Sequence, residues 1–113
     1  EACVQFAKTF PKIIREIRAV NPDVKIYADN IYNPAKGIDA FSQVYSVADV
    51  YINRMNRGFY PSDEYVLVDI KKCFDGEKES MVNLSFKGRE IDPHPSEKGH
   101  KKIAQMVIKA MER

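Results

Sequence analysis

The residues best suited to chemistry lie in one short run, Asp92-Pro93-His94-Pro95, just ahead of a helical pattern over the last residues of the chain. A carboxylate stands two residues before an imidazole, and a proline on either side of the histidine fixes the backbone. Such a loop holds the ring rigidly, and the chemistry it serves is proton transfer. A serine hydroxyl becomes a nucleophile when a neutral imidazole accepts its proton. The imidazole in turn needs a carboxylate to fix its tautomer and to stabilise the cation it becomes. The helix N-terminus disfavours that cation and the carboxylate favours it, so the two influences oppose. Taken alone, an Asp-x-His pair reads more simply as a loop histidine beside a helix cap, and the wider context has to decide.

Other reactive side chains have plainer readings. His100 falls six residues after His94, an awkward spacing for two ligands on one helix face, so a metal site at Asp92, His94 and His100 ranks low. Cys3 and Cys73 are too few for a disulfide scaffold and have no metal-ligand spacing; buried free thiols are the simpler reading, with a bridge between them left open. Asn30 and Asn33 follow a strand pattern and are explained by turn chemistry. Tyr45, Tyr51 and Tyr60 read as core and rim packing.

Composition narrows the class. The 113 residues allow one ordinary domain, and 44% hydrophobic with 30% charged residues is a globular balance. Lys and Arg number 18 against 16 Asp and Glu, interspersed, for a net charge of +2. That is no footprint for nucleic acid, and no stretch approaches the roughly 20 apolar residues of a membrane span. The densest basic run, Lys98, Lys101 and Lys102 beside Glu97, reads as a solvated helix face. Glu1 to Gln5 has no signal-peptide pattern and reads like the middle of a helix or loop.

The elements that must position His94 alternate. Phe10, Ile13, Ile14 and Ile17 recur at helical spacing between Thr9, a candidate cap, and Val20, with Pro11 in the first turn and Asn21-Pro22 as the stop. Val24 to Ala28 and Tyr65 to Ile70 read as strands, the second nearly continuous in apolar residues. Between them, Phe41, Val44, Tyr45, Ala48, Tyr51, Ile52 and Met55 form a helical stripe within 39–56, ended by Gly58 and Pro61. The stretch 75–87 is polar and irregular, with a weak apolar patch from Met81 to Leu84. The last helix starts after Pro95 or Ser96 and carries Ile103, Met106, Val107 and Ala110 inward. This order predicts an α/β fold with a parallel sheet. Two parallel strands leave an edge and much apolar face uncovered, so further strands are expected from missing N-terminal sequence, a second chain or a swapped copy.

His94-Pro95-Ser96, Gly99-His100 and Ile103-Ala104 resemble the C-terminal motif block of the SGNH, or GDSL, family of serine esterases and lipases. That block has an Asp, a His followed by Pro, a small or polar residue, a Gly, and a helix opening with an Ile-Ala-like pair. The resemblance extends weakly to Asn21-Pro22, the first strand, Asn33-Pro34, Asn56 and Asp69. It implies a three-layer, flavodoxin-like hydrolase fragment holding the last two strands and flanking helices, with His94 as catalytic base and Asp92 as its acid. The implied substrates are an ester and water, without a cofactor. The commoner family spacing puts the acid three residues before the histidine, where Ile91 stands here, so Glu90 or a main-chain carbonyl is an alternative partner for the ring. None of Ser42, Ser46, Ser62, Ser80, Ser85 or Ser96 follows Gly-Asp or sits on a strand-to-helix elbow. The nucleophile and oxyanion donors are therefore expected outside these residues. The competing expectation is a non-enzymatic α/β interaction module or a degenerate esterase relative.

Overall fold

A computed structural model describes residues 1–83 and 92–113. Leu84, Ser85, Glu90 and Ile91, which figure in the sequence expectations, lie outside the described residues. The described chain runs α1 (Ala2–Val20), β1 (Tyr27–Asp29), a 3-10 turn (Asp39–Phe41), α2 (Ser42–Asn56), β2 (Val66–Val68), α3 (Ile70–Asp75) and α4 (Glu97–Met111). The strands pair in parallel, Tyr27 opposite Val66, Ala28 opposite Leu67 and Asp29 opposite Val68. Two parallel strands and four α-helices make a mixed α/β chain.

α1 begins at Ala2, well before Thr9, so Pro11 lies inside the helix rather than in its first turn. Its missing N–H removes one helical bond. Packing offsets the loss: Phe6, Phe10 and Ile14 face Phe59, Tyr60 and Tyr65, and the Phe10 ring meets Phe59 at 5.0 Å and Tyr65 at 5.2 Å between centroids. Ile13 and Ile17, expected on the buried stripe, stand out in solvent instead because this cluster covers only the neighbouring face. At the end of α1, Arg18 donates to the carbonyls of Pro22, Val24 and Glu64, tying the approaches to both strands together.

The second core lies on the other side. Val68, Ile70, Phe74 and Met81 are buried, and Ile103, Met106, Val107 and Ala110 of α4 pack against them as their spacing predicted. α3 was not foreseen, because the apolar run of β2 continues into its first residue. It starts where the Asp69 side chain accepts from the Lys72 N–H as a cap, and it buries Ile70 and Phe74 four residues apart.

α2 ends at Asn56 as expected but starts at Ser42, because Asp39–Phe41 forms a 3-10 turn, and its burial is only partial. It has no fully buried residue, and Val44, Val47, Val50 and Tyr51 are exposed. Within the expected stripe Phe41, Tyr45, Ala48, Ile52 and Met55 are half-buried, while Val44 and Tyr51 are left in solvent. The total accessible surface, 8064 Å², exceeds the about 6,300 Å² usual for a monomer of this size.

Polar contacts also hold α2. Lys71, whose side chain is 13% exposed, reaches Asp49 at 2.9 Å and Asp75 at 2.7 Å. Buried Asn33 donates to the Tyr45 carbonyl and to Asp49. Desolvation pushes the Asp49 carboxyl up, but bonds from Lys71, Asn33 and Asn53 outweigh it and leave the group below its usual range. A carboxylate lowered on folding adds stability above its unfolded value near 4, and loses it as pH falls through the lower folded value. Thermal melting followed from pH 7 to pH 2 is thus expected to show an acid-side loss of stability beginning below about pH 4, and Asp49→Asn should flatten that limb.

Candidate active site

The loop carrying Asp92 and His94 is neither helix nor strand, so its position depends on what grips it. Met81-Val82-Asn83 runs antiparallel to His94-Pro95-Ser96 through a single bridge, Val82 opposite Pro95. The Asn83 N–H donates to the His94 carbonyl at 2.9 Å, and the Ser96 N–H donates to the Met81 carbonyl at 2.9 Å. Met81 and Val82 are buried, so the loop is pinned against the second core.

α4 starts directly behind it. Ser96 is the cap, its Oγ accepting from the Gly99 N–H at 3.1 Å. Gly99 is the buried residue of this helix, and a Cβ built on it would lie 2.1 Å from the Met81 carbonyl oxygen. The glycine is thus required by close approach of two backbones. Gly99→Ala is expected to cost about 1–3 kcal/mol through overpacking, opposite in sign to the usual gain of replacing a helical glycine by alanine. Urea denaturation checks it: an unchanged or raised midpoint would show that α4 can shift freely.

Asp92 and His94 are brought together. One carboxylate oxygen, Oδ1, accepts the His94 backbone N–H at 3.0 Å and lies 2.6 Å from Nδ1 of the ring. The other oxygen is 3.4 Å from the Asn83 side-chain amide. The His94 backbone N–H first, then its ring, hold the Asp92 carboxyl below its ordinary range, so it is ionised at neutral pH. An ionised carboxylate only accepts hydrogen bonds, so Nδ1 carries the proton and the lone pair of the neutral ring is on Nε2. The spacing of two residues therefore suffices for an Asp–His pair, and no described group other than Asp92 contacts Nδ1.

The ring is open: the His94 side chain is 80% exposed, and Asp92 44%. The loop nevertheless sits toward the carboxyl ends of the strands. Tyr32, shortly after β1, donates its hydroxyl to the Pro93 carbonyl at 2.7 Å. That is the end at which open parallel sheets place ligands. The cleft at the opposite, amino ends, lined by Arg18, Lys25, Glu64 and Val66 among others, includes none of the loop residues.

No described serine bonds to His94. Ser46, Ser62, Ser80 and Ser96 are each engaged within their own turn or helix. Among the described residues, no three His, Cys, Asp or Glu side chains converge to hold a metal, so Asp92, His94 and His100 do not form a ligand set. Cys3 and Cys73 are both free thiols and half-buried. Among the described residues no helix is long and apolar enough to cross a membrane.

Several polar side chains brace the carboxyl ends of the strands. Asn30 donates to Asp69 at 2.7 Å and accepts from the Lys71 N–H, joining the end of β1 to the start of α3. Asn56 accepts from the Ile31 N–H and donates to its carbonyl, fixing the same crossover from α2. Sequence reasoning missed the roles of Tyr32 and Asn83. Each is far in sequence from the residues it holds, and neither carries a local signal. No protein-family model, curated protein or solved structure matches this chain.

Proposed function

We propose that this chain is the C-terminal portion of a single three-layer, flavodoxin-like domain of the SGNH type, a serine ester hydrolase to which it contributes the base His94 and the acid Asp92. The observation that carries the reading is the 2.6 Å contact between Asp92 Oδ1 and His94 Nδ1, which leaves Nε2 facing outward on a loop tied beyond β1. In the proposed reaction Nε2 takes the proton of a serine hydroxyl as its oxygen attacks the ester carbonyl. The imidazolium, steadied by Asp92, then gives that proton to the departing alcohol. A water molecule hydrolyses the acyl-serine by the same steps. The chemistry calls for no cofactor.

In this reading the serine and its oxyanion donors come from outside this sequence, in an N-terminal part or a second chain, and the strands that complete the sheet come from either of these or from a swapped copy. Support for that completion comes from the exposed apolar side chains of α1 and α2, and from Val66 and Leu67 of β2, which point to opposite faces and are about 40% exposed each. The 113-residue chain purified alone is thus expected to associate or to fold poorly. Light scattering with a thermal melt checks this, and a compact, cooperatively melting monomer would contradict it.

The functional test is hydrolysis of a short-chain nitrophenyl ester by the protein that includes the serine-bearing part. Turnover lost in His94→Ala supports the enzyme. Turnover that survives the substitution removes His94 from the mechanism, and none in any form favours the non-enzymatic module.

A further inference from the structure

The Asp92–His94 pair rides on a segment that regular secondary structure does not support, yet three successive carbonyls of that segment are each held. The Pro93 carbonyl accepts the Tyr32 hydroxyl at 2.7 Å, the His94 carbonyl accepts the Asn83 N–H at 2.9 Å, and the Pro95 carbonyl accepts the Asn83 side-chain amide at 3.2 Å. Prolines have no N–H, so at Pro93 and Pro95 the carbonyl is the one backbone group that can be gripped. The same Asn83 amide also faces the Asp92 oxygen that the histidine does not use, at 3.4 Å. Both grips are anchored in the second core: the Tyr32 ring lies 5.0 Å from the ring of Phe74, and Asn83 follows buried Met81 and Val82.

We infer that Tyr32 and Asn83 are positioning residues that together hold Asp92 against Nδ1, and so keep the His94 ring in the form with its proton on Nδ1. The inference rests on His94 acting as the base in the proposed reaction. Tyr32 grips the loop one residue before the histidine, and Asn83 grips it at and after the histidine while turning the carboxylate. Neither touches the reacting atoms. Burial first, then the charge of Asp92, push the Tyr32 phenol up, so it stays a protonated donor through neutral pH. Loss of either grip lets Asp92 swing away, and the neutral ring relaxes toward the Nε2–H form, whose outward nitrogen no longer accepts a proton.

Nitrogen-15 NMR of histidine-labelled intact protein reads this directly. His100, the second of the two histidines, sits on α4 as an internal control. In the unsubstituted protein His94 is expected to show protonated Nδ1 and unprotonated Nε2 when neutral. Tyr32→Phe keeps the ring packing, and Asn83→Ala keeps the backbone bond; each should shift His94 toward the Nε2–H form while His100 is unchanged. Turnover should fall, of the order of 10²-fold, in kcat with KM unchanged. If Asn83→Ala fails to fold, Tyr32→Phe decides. His94 signals identical to wild type in the folded variants overturn the inference even if the ester is hydrolysed. Shifted signals in a protein that hydrolyses no ester support the clamp and count against the hydrolase.

Discussion

In the proposed hydrolase, replacing His94 by alanine is expected to lower ester turnover by roughly 10⁴–10⁶-fold, with substrate binding little changed. The size follows from what the ring supplies. Nε2 is the nitrogen left to accept a proton, because Asp92 at 2.6 Å occupies Nδ1. No other described histidine or carboxylate is placed to replace it in this loop. The fold should be unaffected: the side chain is 80% exposed, and the loop is held through backbone carbonyls that alanine retains. Equal melting temperatures with a collapsed kcat are the expected pair of results. Asp92→Ala should also lose turnover while freeing the ring to change tautomer. A loss in His94→Ala accompanied by a lower melting temperature of similar weight would instead mark the histidine as a structural cap.

Phe74→Ala is expected to have the largest effect on stability, about 3–5 kcal/mol, as for other buried phenylalanines cut to alanine. Phe74 is 2% exposed and sits among Val68, Ile70 and Met81, with α4 closing over it. The void would open beneath β2, α3 and the Met81-Val82-Asn83 segment at once. It would also remove the platform of the Tyr32 ring. Against a usual domain stability of about 5–15 kcal/mol, a loss of this size leaves little reserve. Urea denaturation should show a lowered midpoint at unchanged slope. A shift under about 1 kcal/mol would mean that the second core collapses onto the gap.

The helices were readable because their signals are local. Ser96 caps α4, and the apolar spacing of Ile103, Met106, Val107 and Ala110 gives its inner face, as expected. The same spacing failed at Ile13, Ile17, Val44 and Tyr51, which are exposed. Periodicity tells which side chains share a face, not whether anything covers it. α3 escaped notice because Ile70 reads as the last residue of a strand, while the Asp69 cap that turns the chain is visible only in three dimensions. At the proposed site, Asp92 and His94 were singled out from type and spacing and given their roles by the family resemblance, and their contact follows from an Asx-type turn that Asp forms with the residue two ahead. Asn83 and Tyr32 could not be found that way. Their bonds to the loop cross 9 to 61 residues of sequence.

The proposed role of His94 requires a serine, and no described serine bonds to its ring. An alkyl fluorophosphonate, which attaches to a serine only when a base has activated it, tests this most directly on the protein that includes the serine-bearing part. The expected result is one labelled serine outside residues 1–113, in unmodified protein but not in His94→Ala. Labelling that persists without the His94 imidazole, or that falls on Ser42, Ser46, Ser62, Ser80, Ser85 or Ser96, would contradict it.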